Sequence, residues 1–242
     1  MVDCVDKKRG LDGNALKYIA ALAMTVDHVA LALLGGVPAA YIPMRIIGKL
    51  TMPIMCCMLA EGYRYTISLP KYYLRLLLFA VISVVPYSLT VHRSYFYYED
   101  FNFLFTLVFA LLAVNLYDKI KNKVLGLCAA LIPIAASCFC DWGVTAPLYA
   151  LVFFAAGKEP YKRTAYSMGI SLLYIIVSLF TKSFTAVLTS LGLLLAPVLL
   201  YFYTGEKGSR SPFHKWFFYL YYPLHLALIA ALKFGVLGHI VI

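Results

Sequence analysis

Residues 15–34 read ALKYIAALAMTVDHVALALL, a run long and apolar enough to cross a bilayer as a helix, with Asp27 and His28 side by side past its midpoint. A transmembrane helix needs about 20 mostly apolar residues. An ionisable side chain inside such a helix costs about 2.5–3.5 kcal/mol on insertion scales, so it implies a partner or a task. Two adjacent ones make this stretch both the key to the fold class and the first functional candidate.

The rest of the chain has the same character. It is 63% apolar and 13% charged over 242 residues, against roughly half and a quarter in soluble domains. Its apolar residues fall in runs, not in short periodic stripes. The expected fold class is therefore all-α, a polytopic integral membrane helical bundle. Nine spans are expected, at about Ala15–Leu34, Ile42–Ala60, Tyr72–Thr90, Phe101–Tyr117, Val124–Phe139, Trp142–Ala156, Ala165–Phe180, Phe184–Tyr203 and Trp216–Phe234. The sixth is the shortest and starts beside Asp141 and Gly143, so a re-entrant course is its alternative. Short connections imply a tail at 1–14 and one transmembrane domain at 15–242. The polar tail has no small-residue cleavage site, so the first span reads as retained, not as a signal peptide.

The net charge of +10 would suggest nucleic acid in a soluble protein. Here the cations sort by loop instead, and no nucleic-acid partner is expected. Lys7, Lys8 and Arg9 lie in the tail. Alternate loops carry Arg64, Lys71 and Arg75; Lys119, Lys121 and Lys123; Lys158, Lys162 and Arg163; and Lys207, Arg210 and Lys215. The other loops offer Arg93 and Lys182. The positive-inside rule then puts the N-terminus in the cytoplasm and, with nine spans, the C-terminus outside. The six cysteines match no zinc or redox spacing and read as structural.

Polar residues within spans are the site candidates. Asp27 and His28 fall in the outer half of the first span. The second span brings Arg45 and Lys49, four apart on one face, to a similar depth, so an Asp27 ion pair with either cation is one reading. His225 lies mid-way along the last span, just after Pro223, and first and last helices commonly close a bundle side by side. His92, His214 and His239 read as solvated. At the inner end of the second span Glu61 and Arg64 are spaced to pair. Arg64, Lys71 and Arg75 would suit a phosphate-rich cytoplasmic ligand, the alternative being ordinary inside-positive residues. Asn102, Thr106, Asn115, Asp141 and Trp142 are weaker candidates.

Two histidines and an aspartate could in principle ligate zinc, but no local spacing supports it and no metal is expected. Nucleophile-elbow and P-loop motifs do not occur, which removes the usual signals of serine and nucleotide hydrolases. A histidine poised by a carboxylate is the ordinary design of a general base.

LKYIAALAMTVDHVAL, MRIIGKLTMPIMCCMLAEGYRYT, KYYLRLLLFAVISVVPYSL, NFLFT at 102–106 and KWFFYLYYPLHL at 215–226 resemble, in the same order, the TraX family. That family is named for a conjugation protein associated with N-terminal acetylation of pilin. It is similar in turn to the superfamily of transmembrane acyltransferases that includes lysosomal heparan glucosaminide acetyltransferase and bacterial O-antigen acetylases. The resemblance places the family's Asp-His pair on Asp27 and His28, its arginine on Arg45, its Tyr-Pro-x-His on Tyr222, Pro223 and His225, its Glu-Gly on Glu61 and Gly62, and its Arg-Leu on Arg75 and Leu76. Lys49 stands where the family often has arginine.

What the resemblance implies is a multi-pass acyltransferase, most simply an acetyltransferase, of the bacterial cytoplasmic (inner) membrane. Acetyl-CoA or another acyl-CoA would be the co-substrate. The acceptor would be an extracytoplasmic glycan, peptide or pilin-like amine, and an oligomer is compatible with this. His28 is the expected base, oriented by Asp27, with Arg45 on the thioester oxygen. His225 is a rival base or a transient acyl carrier. Glu61, Arg64, Lys71 and Arg75 would bind the cofactor. The competing expectations are a proton-coupled transporter or flippase, and a non-catalytic membrane scaffold held by its buried charges.

Overall fold

A computed structural model describes residues 10–209 and 211–237, where the regular structure is helical. Cys4, Lys7, Lys8, Arg9, Arg210 and His239 lie outside the described residues. Helix α1 (Gly13–Leu33) starts where the Asp12 carboxylate accepts from the Ala15 N–H at 2.7 Å, satisfying one of the orphan donors of its first turn. The start of α1 is also tied to the far end of the chain. Leu11 N–H donates to the Phe202 carbonyl and Gly13 N–H to that of Glu206.

The second expected span is two helices, α2 (Pro38–Gly48) and α3 (Thr51–Tyr65), separated by a turn at Lys49–Leu50. Proline opens α2 at a position whose N–H would be unbonded anyway. The third is also divided, into α4 (Leu69–Ile82) and α5 (Val84–His92), which bend by 48°. Two residues explain that bend. Pro86 cannot donate to the carbonyl one turn back, and the Ser83 hydroxyl donates to the Phe79 carbonyl at 2.6 Å.

Helices α6 (Phe103–Lys119) and α7 (Lys123–Ala136) are capped at their N-termini by the side chains of Asn102 and Asn122, and α7 runs on into a 3-10 turn at Ser137–Phe139. Then come α8 (Thr145–Ala156), α9 (Pro160–Thr181), α10 (Phe184–Ser190), a 3-10 turn at Leu191–Leu194, α11 (Leu195–Tyr201) and α12 (Pro212–Leu237). Each expected segment thus coincides with a helix or a broken pair.

Among the described residues, five stretches are long and apolar enough to cross a membrane: Gly13–Leu33, Pro38–Tyr65, Pro160–Thr181, Phe184–Tyr201 and Pro212–Gly235. The bent pair α4–α5 makes a sixth if it is one span. The all-helical membrane class agrees with the sequence, while length supports five or six crossings where nine are expected. Helix α8 shows why. Its 12 residues rise about 18 Å, well short of the ~30 Å hydrocarbon core.

Helices α2, α3 and α12 pack on α1; α6 and α8 on α3; α4 and α5 on α12; and α10 and α11 on α9. Without water to drive helices together in lipid, such contacts rely on small residues that let backbones approach. Ala20 and Ala30 on α1, Ala110 and Ala113 on α6, and Ala146 and Ala150 on α8 are all fully buried. Leu220, Leu224, Leu228 and Leu232 recur every four residues along the exposed face of α12, the stripe expected to meet acyl chains.

Two glycines set the position of α2. A Cβ at Gly48 would fall 2.0 Å from the Asp27 Oδ1, and one at Gly192 would fall 2.0 Å from the Ile46 carbonyl oxygen. So α2 lies wedged between α1 and the turn joining α10 to α11.

Candidate functional site

The site is built where α1, α2 and α12 meet. Arg45 Nη1 donates to Asp27 Oδ2 at 2.5 Å, both side chains being largely buried. Asp27 Oδ1 is buried without a hydrogen-bond partner, pressed against the bare backbone of Gly48. Of the two cations that could pair with Asp27, the structure therefore selects Arg45. Lys49, one residue past α2, places its ammonium 4.4 Å from the Trp142 ring centroid. Trp142 holds a left-handed φ of 67°, a costly conformation for a bulky residue that marks a site worth inspecting. Its loop is pinned by the Asp141 N–H donating to the Phe101 carbonyl at 2.7 Å and by the Thr106 hydroxyl donating to the Asp141 carbonyl at 2.6 Å. Burial, with the like charge of Asp100 beside it, pushes the Asp141 carboxyl up to about 7, against the pull of Lys49.

His28 turns to a different partner. Its Nδ1 lies 3.1 Å from Nε2 of His225, both residues being 6% exposed. The His225 Nδ1 lies 2.8 Å from the Tyr221 carbonyl, which can only accept, so that nitrogen carries a proton. In neutral His225, Nε2 is then the acceptor and His28 Nδ1 the donor. The lone pair of the histidine couple is left on His28 Nε2. The partner that orients His28 is accordingly His225, while Asp27 serves Arg45.

The surroundings fix the His225 ring. Tyr221 stacks on it at 5.1 Å, and the Tyr221 hydroxyl meets Thr25 Oγ1 at 2.6 Å. Tyr222 packs on it edge to face at 5.6 Å while its hydroxyl accepts from the Phe103 N–H.

Of the expected cofactor residues, Glu61 and Arg64 pair at 3.3 Å. The Arg64 guanidinium also donates to the carbonyls of Phe153, Phe154 and Gly157, the unpaired acceptors at the end of α8. Its fork is thus committed to structure. Arg75 lies between the rings of Tyr72 and Tyr219, and Lys71 is exposed. These four residues do not meet the Asp27–His28–His225 cluster.

The weaker candidates have local work. Asn102 caps α6 and donates to the Ala80 carbonyl at 2.8 Å, and Asn115 accepts from the Tyr63 hydroxyl at 3.3 Å. Two histidines expected to be solvated are partly exposed and have partners. His92 pairs with Asp100 at 3.1 Å and stacks on Tyr97 at 4.1 Å, and His214 meets the Tyr18 hydroxyl at 2.8 Å. Among the described residues, no group of three or more His, Cys, Asp or Glu is placed to hold a metal ion.

Two lysines escape the sequence reading although the rule that singles out Asp27 applies to them. Lys233 is buried in α12 and donates to the Thr90 carbonyl at 2.5 Å, closing the end of α5. Lys17 is partly buried in α1 against the Phe218 ring at 5.4 Å.

A family profile described as TraX protein matches residues 12–233, almost the whole helical bundle. The chain belongs to the TraX family. It is 34% identical over 245 residues to a protein of Dichelobacter nodosus described as probable fimbrial assembly protein FimC, serogroup H1, covering 93% of this chain and 98% of that one. No solved structure matches. With its apolar helices and bacterial relative, this TraX-family chain is a bacterial membrane protein.

Proposed function

We propose that the protein is an integral membrane acyltransferase, most simply an acetyltransferase, of the bacterial inner membrane. It moves an acyl group from cytoplasmic acyl-CoA to an acceptor on the outer side. The observation that carries this reading is the histidine couple. A buried imidazole whose Nδ1–H is fixed by a second, neutral imidazole presents its Nε2 as a base, and geometry is the first requirement of a general base.

The acceptor's amine or hydroxyl attacks the thioester carbon while His28 Nε2 takes its proton. The resulting imidazolium is held by its Nδ1–H bond to His225, a charge-assisted bond stronger than the neutral one. Collapse of the tetrahedral intermediate breaks the carbon–sulfur bond, and the departing thiolate takes the proton back from His28. Arg45, fixed by Asp27, is the nearby cation able to face the developing oxyanion. The fimbrial-assembly description of the relative fits an acceptor presented on the outer face of the membrane, such as a pilin-like amine or a surface glycan.

The test uses purified full-length protein in nanodiscs with labelled acetyl-CoA and a panel of peptides and glycans. Acceptor-dependent release of CoA, lost in His28→Ala, is expected. A folded wild-type protein that neither binds CoA nor cleaves its thioester would sink the proposal.

A further inference from the structure

A histidine set by a carboxylate does occur in this molecule, but away from Asp27 and His28. At the end of α5, His92 Nε2 lies 3.1 Å from Asp100 Oδ2, and the same oxygen accepts from the Tyr87 hydroxyl at 2.9 Å. An ionised carboxylate can only accept, so Nε2 carries the proton and the neutral ring keeps its lone pair on Nδ1. Among the described residues that Nδ1 has no hydrogen-bond partner. Tyr97 stacks on the ring at 4.1 Å and fixes its plane. The side chains of His92 and Asp100 are 21% and 33% exposed, so water reaches this pair, while the histidine couple is nearly closed to it.

Two short links join the dyad to the histidine couple. Thr90, two residues before His92, donates its hydroxyl to the carbonyl of Leu226, the neighbour of His225, at 2.9 Å. Phe103, three residues after Asp100, donates its N–H to the hydroxyl of Tyr222, whose ring packs on His225. The loop at 93–101 is also one of the cation-poor connections, on the side that the loop charges assign to the outside. An acceptor coming from that side meets His92 before His28.

An acceptor that arrives as an ammonium must lose two protons to become an amide. His28 Nε2 can hold one of them, the one it returns to the departing thiolate. The other has to leave before attack, because an ammonium has no lone pair, and Arg45 and Lys49 repel a cation at the inner site. We propose that His92, paired with Asp100, takes that first proton from an amine acceptor and passes it to water. This rests on the acyltransferase reading above. The N–H bond of the ammonium breaks as the proton moves to His92 Nδ1, and the neutral amine keeps the electron pair. The imidazolium is held by Asp100, a charge-assisted bond, until water takes the proton from Nδ1. The other charged groups around the ring are Arg93 beside it, Glu99, which accepts from the Tyr97 hydroxyl, and Lys233 of α12, tied to the Thr90 carbonyl. Asp141 lies beyond Asp100.

The experiment follows transfer from labelled acetyl-CoA to short peptides with a free amino terminus, using full-length protein in nanodiscs. Such an amine titrates near about 7.8, so roughly one molecule in twenty is neutral at about pH 6.5 and nearly all are at about pH 9. His92→Gln keeps a donor for Asp100 but cannot take the proton. It is expected to lower kcat/KM about tenfold at the lower pH and to stay within about twofold of wild type at the higher, where solution supplies the neutral amine. His28→Ala should lose transfer at both. If the thermal transition shows that His92→Gln has not folded, Asp100→Asn carries the test, with the same pattern expected. An equal loss at both pH values makes the dyad a loop clamp and overturns the role of His92, as does no loss at either. Thioester cleavage with transfer to hydroxyl acceptors alone also overturns that role and leaves the acyltransferase reading standing. A folded wild type that cleaves no thioester overturns both.

Discussion

His28 on the first helix and His225 on the last meet through Nδ1 and Nε2 at 3.1 Å, with the second nitrogen of His225 bound to the Tyr221 carbonyl. This contact spans 197 positions of sequence and leaves only one of the four ring nitrogens, His28 Nε2, with a free lone pair in the neutral couple. The two histidines are therefore unequal. One is the base, and the other sets its tautomer.

The inequality predicts different losses. His28→Ala removes the base and should reduce acyl transfer by about 10²–10⁴-fold, the range of general-base contributions. His225→Gln keeps an acceptor on the same helix face and should cost less, about tenfold, with donor binding unchanged. Turnover of labelled acetyl-CoA by the two variants checks this, and equal losses would remove the distinction.

Arg64 separates structure from binding at the other end of the molecule. Lysine in its place keeps the charge but cannot reach Glu61 and three carbonyls at once. Arg64→Lys should lower stability by about 1–3 kcal/mol, the cost of stranded buried acceptors, without changing CoA affinity. Thermal unfolding in detergent and a CoA titration together decide it. A variant of normal stability with weakened CoA binding would return Arg64 to the phosphate site.

The fold class was legible because lipid exposure leaves long apolar runs in the sequence, and the pairing of Asp27 with a cation of the second span followed from depth alone. What could not be read were contacts settled by distant backbone. The carbonyls that occupy Arg64 belong to residues about 90 positions away, and those that hold Lys233 lie more than 140 positions away. From sequence alone, the expected partner orienting His28 is its neighbour Asp27. Adjacent residues diverge by about 100° on a helix, which is why the acid went to α2 and the imidazole to α12. The broken courses of α2–α3 and α4–α5 depend on local turns that apolar runs do not reveal.

The wedge holding α2 gives a stability test with an internal control. A methyl at Gly192 would meet the Ile46 backbone carbonyl, which cannot rotate away, and Ile46 follows Arg45. Gly192→Ala should cost about 1–3 kcal/mol, as overpacking does, and should lower activity by shifting Arg45. Gly169→Ala on the exposed face of α9 meets nothing within 4 Å and should be neutral or stabilising by up to about 1 kcal/mol. Parallel melting curves of the two variants would refute the wedge.

Asp141 supplies a pH signature at the Lys49–Trp142 edge of the site. Its carboxyl titrates near 3.8 in an unfolded chain and at about 7 in the folded protein, so between those values the native state holds a proton that the unfolded state has released. Stability must then fall as pH rises across that window, since it rises with pH only where the unfolded state binds more protons. Asp141→Asn removes the group while Asp100, Lys49, Asp27 and Arg45 remain. The variant should lose less stability than wild type between about pH 4 and 7, by a difference on the order of a few kcal/mol, and the two curves should run parallel above pH 8. Melting temperatures of both proteins in one detergent across that range provide the measurement, and identical slopes between pH 4 and 7 would show that Asp141 is ionised in the native state throughout.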